Sequence, residues 1–115
     1  MMEIGVDIES ISRIAEVIER TPRFRERCFT EREIAYCEKK GDSAESYAAR
    51  FSAKEAFSKA IGKPLSWHDV EILNNEDGKP EIFTYNNARD LLSGKDVKLS
   101  LSHADGMAIA FVIIY

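Results

Sequence analysis

A chain of 115 residues with 44% apolar content can bury one hydrophobic core without disulfide or metal staples, so a single domain over residues 1–115 is expected. A net charge of −4 speaks against nucleic acid as a partner held by bulk attraction. No apolar run approaches the roughly 20 residues of a membrane span, and the start MMEIGVDIES lacks the basic and apolar parts of a secretion signal, so a cytoplasmic protein with no membrane attachment is expected.

Residues 3–8 (EIGVDI) are short, apolar and β-branched, and read as a strand at an inner position of the fold. Asp7 stands out in that run. It is solvated at the strand end, bound to something positive, or capping the next helix, a task open also to Ser10 and Ser12. Residues 10–20 form an amphipathic helix with Ile11, Ile14, Ala15 and Ile18 on one face, and Thr21-Pro22 ends it. Arg13, Arg20, Arg23, Arg25 and Arg27 then crowd a short stretch of an acidic chain. They are either a solvated face laced with Glu19 and Glu26 or a dock for an acidic protein.

Thr30 and Glu33 have capping-box spacing at the head of a helix over residues 30–39. Cys28 and Cys37 fit no zinc spacing and are expected to be inert, reduced thiols. Asp42-Ser43 opens a long helix over residues 43–61, which Gly62 closes. Residues 67–73 and 81–84 read as the two strands of a hairpin around the turn Asp77-Gly78. A short helix over residues 86–93 leads to strands over residues 97–103 and 107–115, joined antiparallel through Ala104-Asp105-Gly106. Helices dominate the first half and strands the second, which gives an α+β domain.

Within the long helix, residues 50–62 (RFSAKEAFSKAIG) carry Lys54, Glu55 and Lys59, which packing alone does not require. Glu55 and Lys59 are four apart and share a face; alone, they are an exposed pair worth about 0.2–0.5 kcal/mol. Asp7 and His103, each in an otherwise apolar segment, change the balance. Two carboxylates from two elements suit a hard cation such as magnesium, which completes its shell with water and phosphate oxygens. Lys59 suits the same phosphate, and a Ser102-His103 turn offers hydroxyl, imidazole and backbone N–H groups for another. His68, beside Trp67, has no such company and reads as structural.

At these residues the sequence resembles the holo-[acyl-carrier-protein] synthases, the small 4′-phosphopantetheinyl transferases. The blocks that carry the resemblance are GVDIESISRI, RFSAKEAFSKAIG, WHDVEI followed by DGKP, and LSLSHADGMAIAFVI. Together they cover nearly the whole chain. The resemblance implies an antiparallel sheet packed with one long helix and shorter ones. It implies Mg-dependent transfer of 4′-phosphopantetheine from coenzyme A to a serine of an acidic acyl carrier protein of fatty-acid, polyketide or peptide synthesis. Adenosine 3′,5′-bisphosphate is the leaving product. By the same resemblance Asp7 and Glu55 hold the metal and Lys59 lies by the pyrophosphate, Glu55 and Lys59 being the catalytic pair. Arg50, Lys59, Ser102 and His103 hold coenzyme A; Arg13, Arg20 and Arg23 grip the carrier. A homotrimer with sites between subunits is implied too. Relatives have a longer glycine-containing loop where this chain has only Gly62 to Ser66. Two other readings of the residues are a non-catalytic module that binds acidic partners through the arginines and a Mg-dependent nucleotide phosphohydrolase.

Overall fold

The computed structural model describes residues 1–115. The N-terminal apolar segment forms strand β1 (Glu3–Ser10), and the C-terminal segments form β4 (Val97–Ala104) and β5 (Met107–Ile114). These three make an antiparallel sheet in the order β1-β5-β4, so β1 is an edge strand and not the inner strand its composition suggests. Alternation explains the difference. Gly5 and Asp7 face the domain interior, level with Val112 and Ala110 of β5 and Leu99 and Leu101 of β4. Ile4, Val6 and Ile8 point the other way, beside Ile113, Phe111 and Ile109, and each is more than half exposed.

Helix α4 (Ser43–Ile61) covers the interior face of the sheet. The Asp42 side chain accepts from the Glu45 N–H at 3.1 Å at its start, and Gly62 adopts φ +80° at its end. Gly5 decides how close helix and sheet come. A Cβ there would lie 2.0 Å from the Ala56 carbonyl oxygen and 2.8 Å from the Ala60 nitrogen. Ala53, Ala56, Phe57 and Ala60 join Val112, Ile114, Val70 and Ile72 in the main core.

Helices α1 (Ile11–Arg20), α2 (Phe24–Cys28) and α3 (Glu31–Glu38) build a second core with the first half of α4, around Ile14, Phe29, Cys37 and Tyr47. Ser10 caps α1, so Asp7 is not a helix cap. The Thr30–Glu33 capping box forms at α3. Strands β2 (Val70–Asn74) and β3 (Pro80–Thr84) pair as the expected hairpin, followed by α5 (Asn86–Leu92). Residues Trp67–Asp69 form a 3-10 turn instead of the start of the strand. The Trp67 ring stacks on Phe51 at 4.9 Å, and its carbonyl accepts from Lys54, which leaves it unavailable to a ladder.

Buried polar groups tie the two cores together. Glu71 on β2 accepts from the Thr30 hydroxyl at 2.6 Å, the Tyr85 hydroxyl at 2.8 Å and Arg32 at 2.7 Å. Burial alone would push its carboxyl up, but these three donors outweigh it and hold it below the ordinary carboxylate value.

Two outcomes are expected from this packing. Gly5→Ala should destabilise by about 3 kcal/mol or more in urea unfolding, because backbone must move to admit the methyl group, whereas Gly41→Ala, with open space around it, should stay within about 0.5 kcal/mol. Glu71→Gln should cost about 1–3 kcal/mol at pH 7. A carboxylate with a depressed folded-state value stabilises above its unfolded value, so wild type and variant should converge as the pH falls below 4. Equal stability of the two at pH 7 would show that the three donors do not favour the charged form.

Candidate functional site

β1 and α4 position the first group of side chains. The Gly5 contact sets their spacing, and the Ser52 hydroxyl fixes β1 locally by donating to the Asp7 carbonyl at 2.9 Å. Asp7 is 8% exposed. Its Oδ1 lies 3.2 Å from Lys59 Nζ, which also donates to the Val6 carbonyl at 3.1 Å. Its Oδ2 is buried and has no hydrogen-bond partner while Glu9 is ionised; a protonated Glu9 carboxyl would donate to the Asp7 carboxylate. Glu55 stands one turn before Lys59. Partial burial, and then the nearby Asp7 carboxylate, raise its proton affinity, while Lys59 works in the opposite direction.

Glu9 belongs to the same group, although the sequence reading passed it over. It is two residues beyond Asp7 on β1 and therefore on the same face. Its carboxyl is pushed up to about 7 by burial, then by Asp7 and Glu55, with Arg13 opposing. The period-2 spacing from Asp7 was the signal available in sequence. Two carboxyls raised beside the Asp7 carboxylate mark a place that favours added positive charge. No three His, Cys, Asp or Glu side chains converge as a ready-made cage. Asp7 and Glu55 would therefore hold a cation whose remaining positions belong to water and phosphate, which is how magnesium is usually bound.

The second group lines a cleft of about 410 Å³ between α4, β4 and the β2–β3 turn. Arg50, Ser102 and His103 all border it. Ser102 and His103 lie within β4 and not in a turn, so their side chains alternate to opposite faces. His103 Nε2 lies 3.4 Å from Glu45 Oε1. Arg50 is almost wholly buried. It packs 4.2 Å over the Tyr36 ring, donates to the Ser46 carbonyl and to Asn74, and leaves Nε without a partner. His103 is level with Glu9 across one intervening strand, so their backbones lie about 10 Å apart. The structure thus brings Asp7, Glu55 and Lys59 together, and Arg50 and His103 together, as two neighbouring clusters; Ser102 borders the second cleft, but its side chain lies on the other face of β4, level with Ile109.

Arg13, Arg20, Arg23 and Arg27 are exposed and unpaired, and Arg13 lies close enough to affect Glu9. Arg25 differs, pairing with Glu38 at 3.3 Å. Cys28 and Cys37 are buried free thiols, and burial raises Cys37 to about 12. His68 Nε2 lies 2.7 Å from the Glu26 carbonyl oxygen. Lys54 is not a surface group at all: it is buried in a pair with Glu33. No helix is long and apolar enough to cross a membrane.

Residues 3–112 match the 4′-phosphopantetheinyl transferase superfamily. The holo-[acyl-carrier-protein] synthase of Chloroherpeton thalassium is 48% identical over 118 residues, covering 98% of this chain and 97% of that protein. The enzyme of the same description from Moorella thermoacetica is 42% identical, with 99% and 94% covered. Among solved structures, Helicobacter pylori holo-[acyl-carrier-protein] synthase in complex with coenzyme A superposes with a TM-score of 0.87 at 33% identity, covering 97% of this chain and 99% of that one. The Chronobacterium ammoniagenes ACPS–CoA complex gives 0.89 at 27% identity, with 100% and 97% covered. On fold, length and sequence alike, the chain belongs to the 4′-phosphopantetheinyl transferase superfamily, as an enzyme of its holo-[acyl-carrier-protein] synthase family.

Proposed function

We propose that this enzyme transfers 4′-phosphopantetheine from coenzyme A to a serine hydroxyl of an apo acyl carrier protein, with magnesium, releasing adenosine 3′,5′-bisphosphate. The observation that carries the reading is the buried, partnerless Asp7 Oδ2 beside a raised Glu55, a pairing that destabilises the unliganded protein and suits a cation. Bound there, magnesium would offset charge on the diphosphate.

This chain's own residues would do the rest. Lys59 places a second positive charge at the same phosphates. Arg50 and His103 fit the other phosphate of coenzyme A in their neighbouring cleft. The exposed Arg13, Arg20 and Arg23 fit an acidic carrier, and Arg13 lies near the carboxylates, so that the carrier serine is delivered beside them. In the transfer, the serine oxygen bonds to the β-phosphorus and the bond to the bridging oxygen breaks. The serine proton leaves through a water to the carboxylate cluster, with Glu55 as its acceptor. The uncovered apolar sheet face around Val6, Ile8 and Phe111 supports a subunit interface, which a homotrimer with sites between subunits would need.

The decisive experiment is the intact mass of an apo carrier after incubation with enzyme, coenzyme A and magnesium, with an EDTA control. A gain of one phosphopantetheine that needs enzyme and metal is expected. Binding of the carrier without mass gain would favour a non-catalytic module, and coenzyme A cleavage without carrier would favour a phosphohydrolase. Asp7→Asn and Glu55→Gln should each lower turnover by about 100-fold or more while keeping the melting temperature, since each removes a repelling charge. Wild-type turnover in either variant would end the metal assignment. Phe111→Glu should shift the assembly toward monomer in light scattering. An unchanged mass would exclude this face as the interface.

A further inference from the structure

Lys54 directly precedes Glu55 on α4, yet it is 3% exposed. All three of its N–H groups are used: to Glu33 Oε1 at 2.7 Å, the Cys28 carbonyl at 2.8 Å and the Trp67 carbonyl at 2.9 Å. Glu33 is fully buried. It is held in turn by the Thr30 N–H at 2.9 Å and the Ile72 N–H at 2.8 Å. One ion pair thus fastens the end of α2, the start of α3, the middle of α4, the 3-10 turn and β2. Stability alone does not account for the charges, because apolar residues of similar volume replace such pairs with little loss. What an apolar pair cannot do is hold the two carbonyl and two N–H groups that Lys54 and Glu33 engage.

One of those carbonyls belongs to a wall. A pocket of about 280 Å³ lies beside Glu55, walled by Pro64, Leu65 and Trp67 with Lys54 and Val70 behind. Trp67 is held at two points, its ring stacked on Phe51 and its carbonyl on Lys54. Phe51 and Lys54 are three apart on α4, so a single helix face carries both holds. A molecule whose diphosphate sits at Asp7, Glu55 and Lys59 has this wall within reach, since the pocket and the carboxylate cluster share Glu55.

We infer that Lys54, held by Glu33, is a positioning residue: through the Trp67 carbonyl it fixes the wall over residues 64–67 and thereby sets the affinity for coenzyme A without touching the reacting atoms. The ligand's identity rests on the transfer reaction proposed above; the wall's dependence on Lys54 does not.

Trp67 is the sole tryptophan, so its fluorescence reports the wall directly. In Lys54→Met, acrylamide quenching of Trp67 should rise at least twofold in the absence of any ligand. Coenzyme A should bind about tenfold more weakly and its KM rise in proportion, with kcat at saturation within about threefold of wild type. Should that variant not fold because Glu33 is left buried and unpaired, Lys54→Met with Glu33→Leu removes the stranded charge and should show the same changes. Unchanged quenching, or raised quenching with wild-type coenzyme A affinity, overturns the inference. Failure of both variants to fold overturns it as well, since Lys54 would then be a folding element only. If wild type itself does not bind coenzyme A, the transfer reaction falls, and Trp67 quenching alone decides whether Lys54 holds the wall.

Discussion

The close contact of Gly5 with Ala56 and Ala60 is the constraint on which the rest depends. It admits no side chain, and it lets an edge strand lie directly on a helix backbone. Asp7 is two residues along the same strand face, and Glu55 and Lys59 flank the contact on the helix. The site is therefore set by backbone packing more than by the flexible side chains themselves. A methyl group at position 5 would move two carboxylates apart as surely as a substitution of either.

Charged groups inside the molecule fall into two kinds. Glu33, Lys54 and Glu71 have every nearby donor or acceptor engaged, and they join elements. Asp7 Oδ2 and Arg50 Nε are buried without partners. Arg25 Nε is the third such atom, though it lies 3.3 Å from a Glu38 oxygen. An unsatisfied buried polar atom costs about 1–3 kcal/mol, so the molecule carries a penalty at each of the two clusters that fit a cation and a phosphate. The same penalty is relieved when a ligand supplies the missing partner, which links affinity to a destabilised free state.

Much of this could be read from the sequence because the signals were local. Asp42 and Gly62 bounded α4 at the observed residues, and Thr30 with Glu33 marked α3. Both hairpins followed from their turns. What escaped was non-local. An apolar run such as EIGVDI does not say which face meets the core, and here the glycine and the aspartate do while the isoleucines do not. Lys54 and Lys59 are the same residue type five positions apart, yet one is buried in an ion pair and the other borders the site. Trp67 was drawn out of the strand by contacts with Phe51 and Lys54 that no period reveals. Ser102 and His103 looked like a turn because the turn residues follow them immediately; the ladder with β5 runs one residue beyond His103.

Strand β1 has one neighbour in its sheet, and that neighbour is β5. The partner of the first strand made is thus the last strand made. During synthesis, Asp7 emerges about a hundred residues before the ladder that will hold it. Until Met107–Ile114 has left the ribosome, β1 has no strand to pair with, and its isoleucines and valine face solvent. Such long-range pairing delays folding and prolongs the time an apolar edge stays open. The carboxylates of β1 and α4 are therefore held by a complete ladder only in a finished chain: a nascent or C-terminally shortened polypeptide carries Asp7, Glu55 and Lys59 well before it has the strand that β1 pairs with.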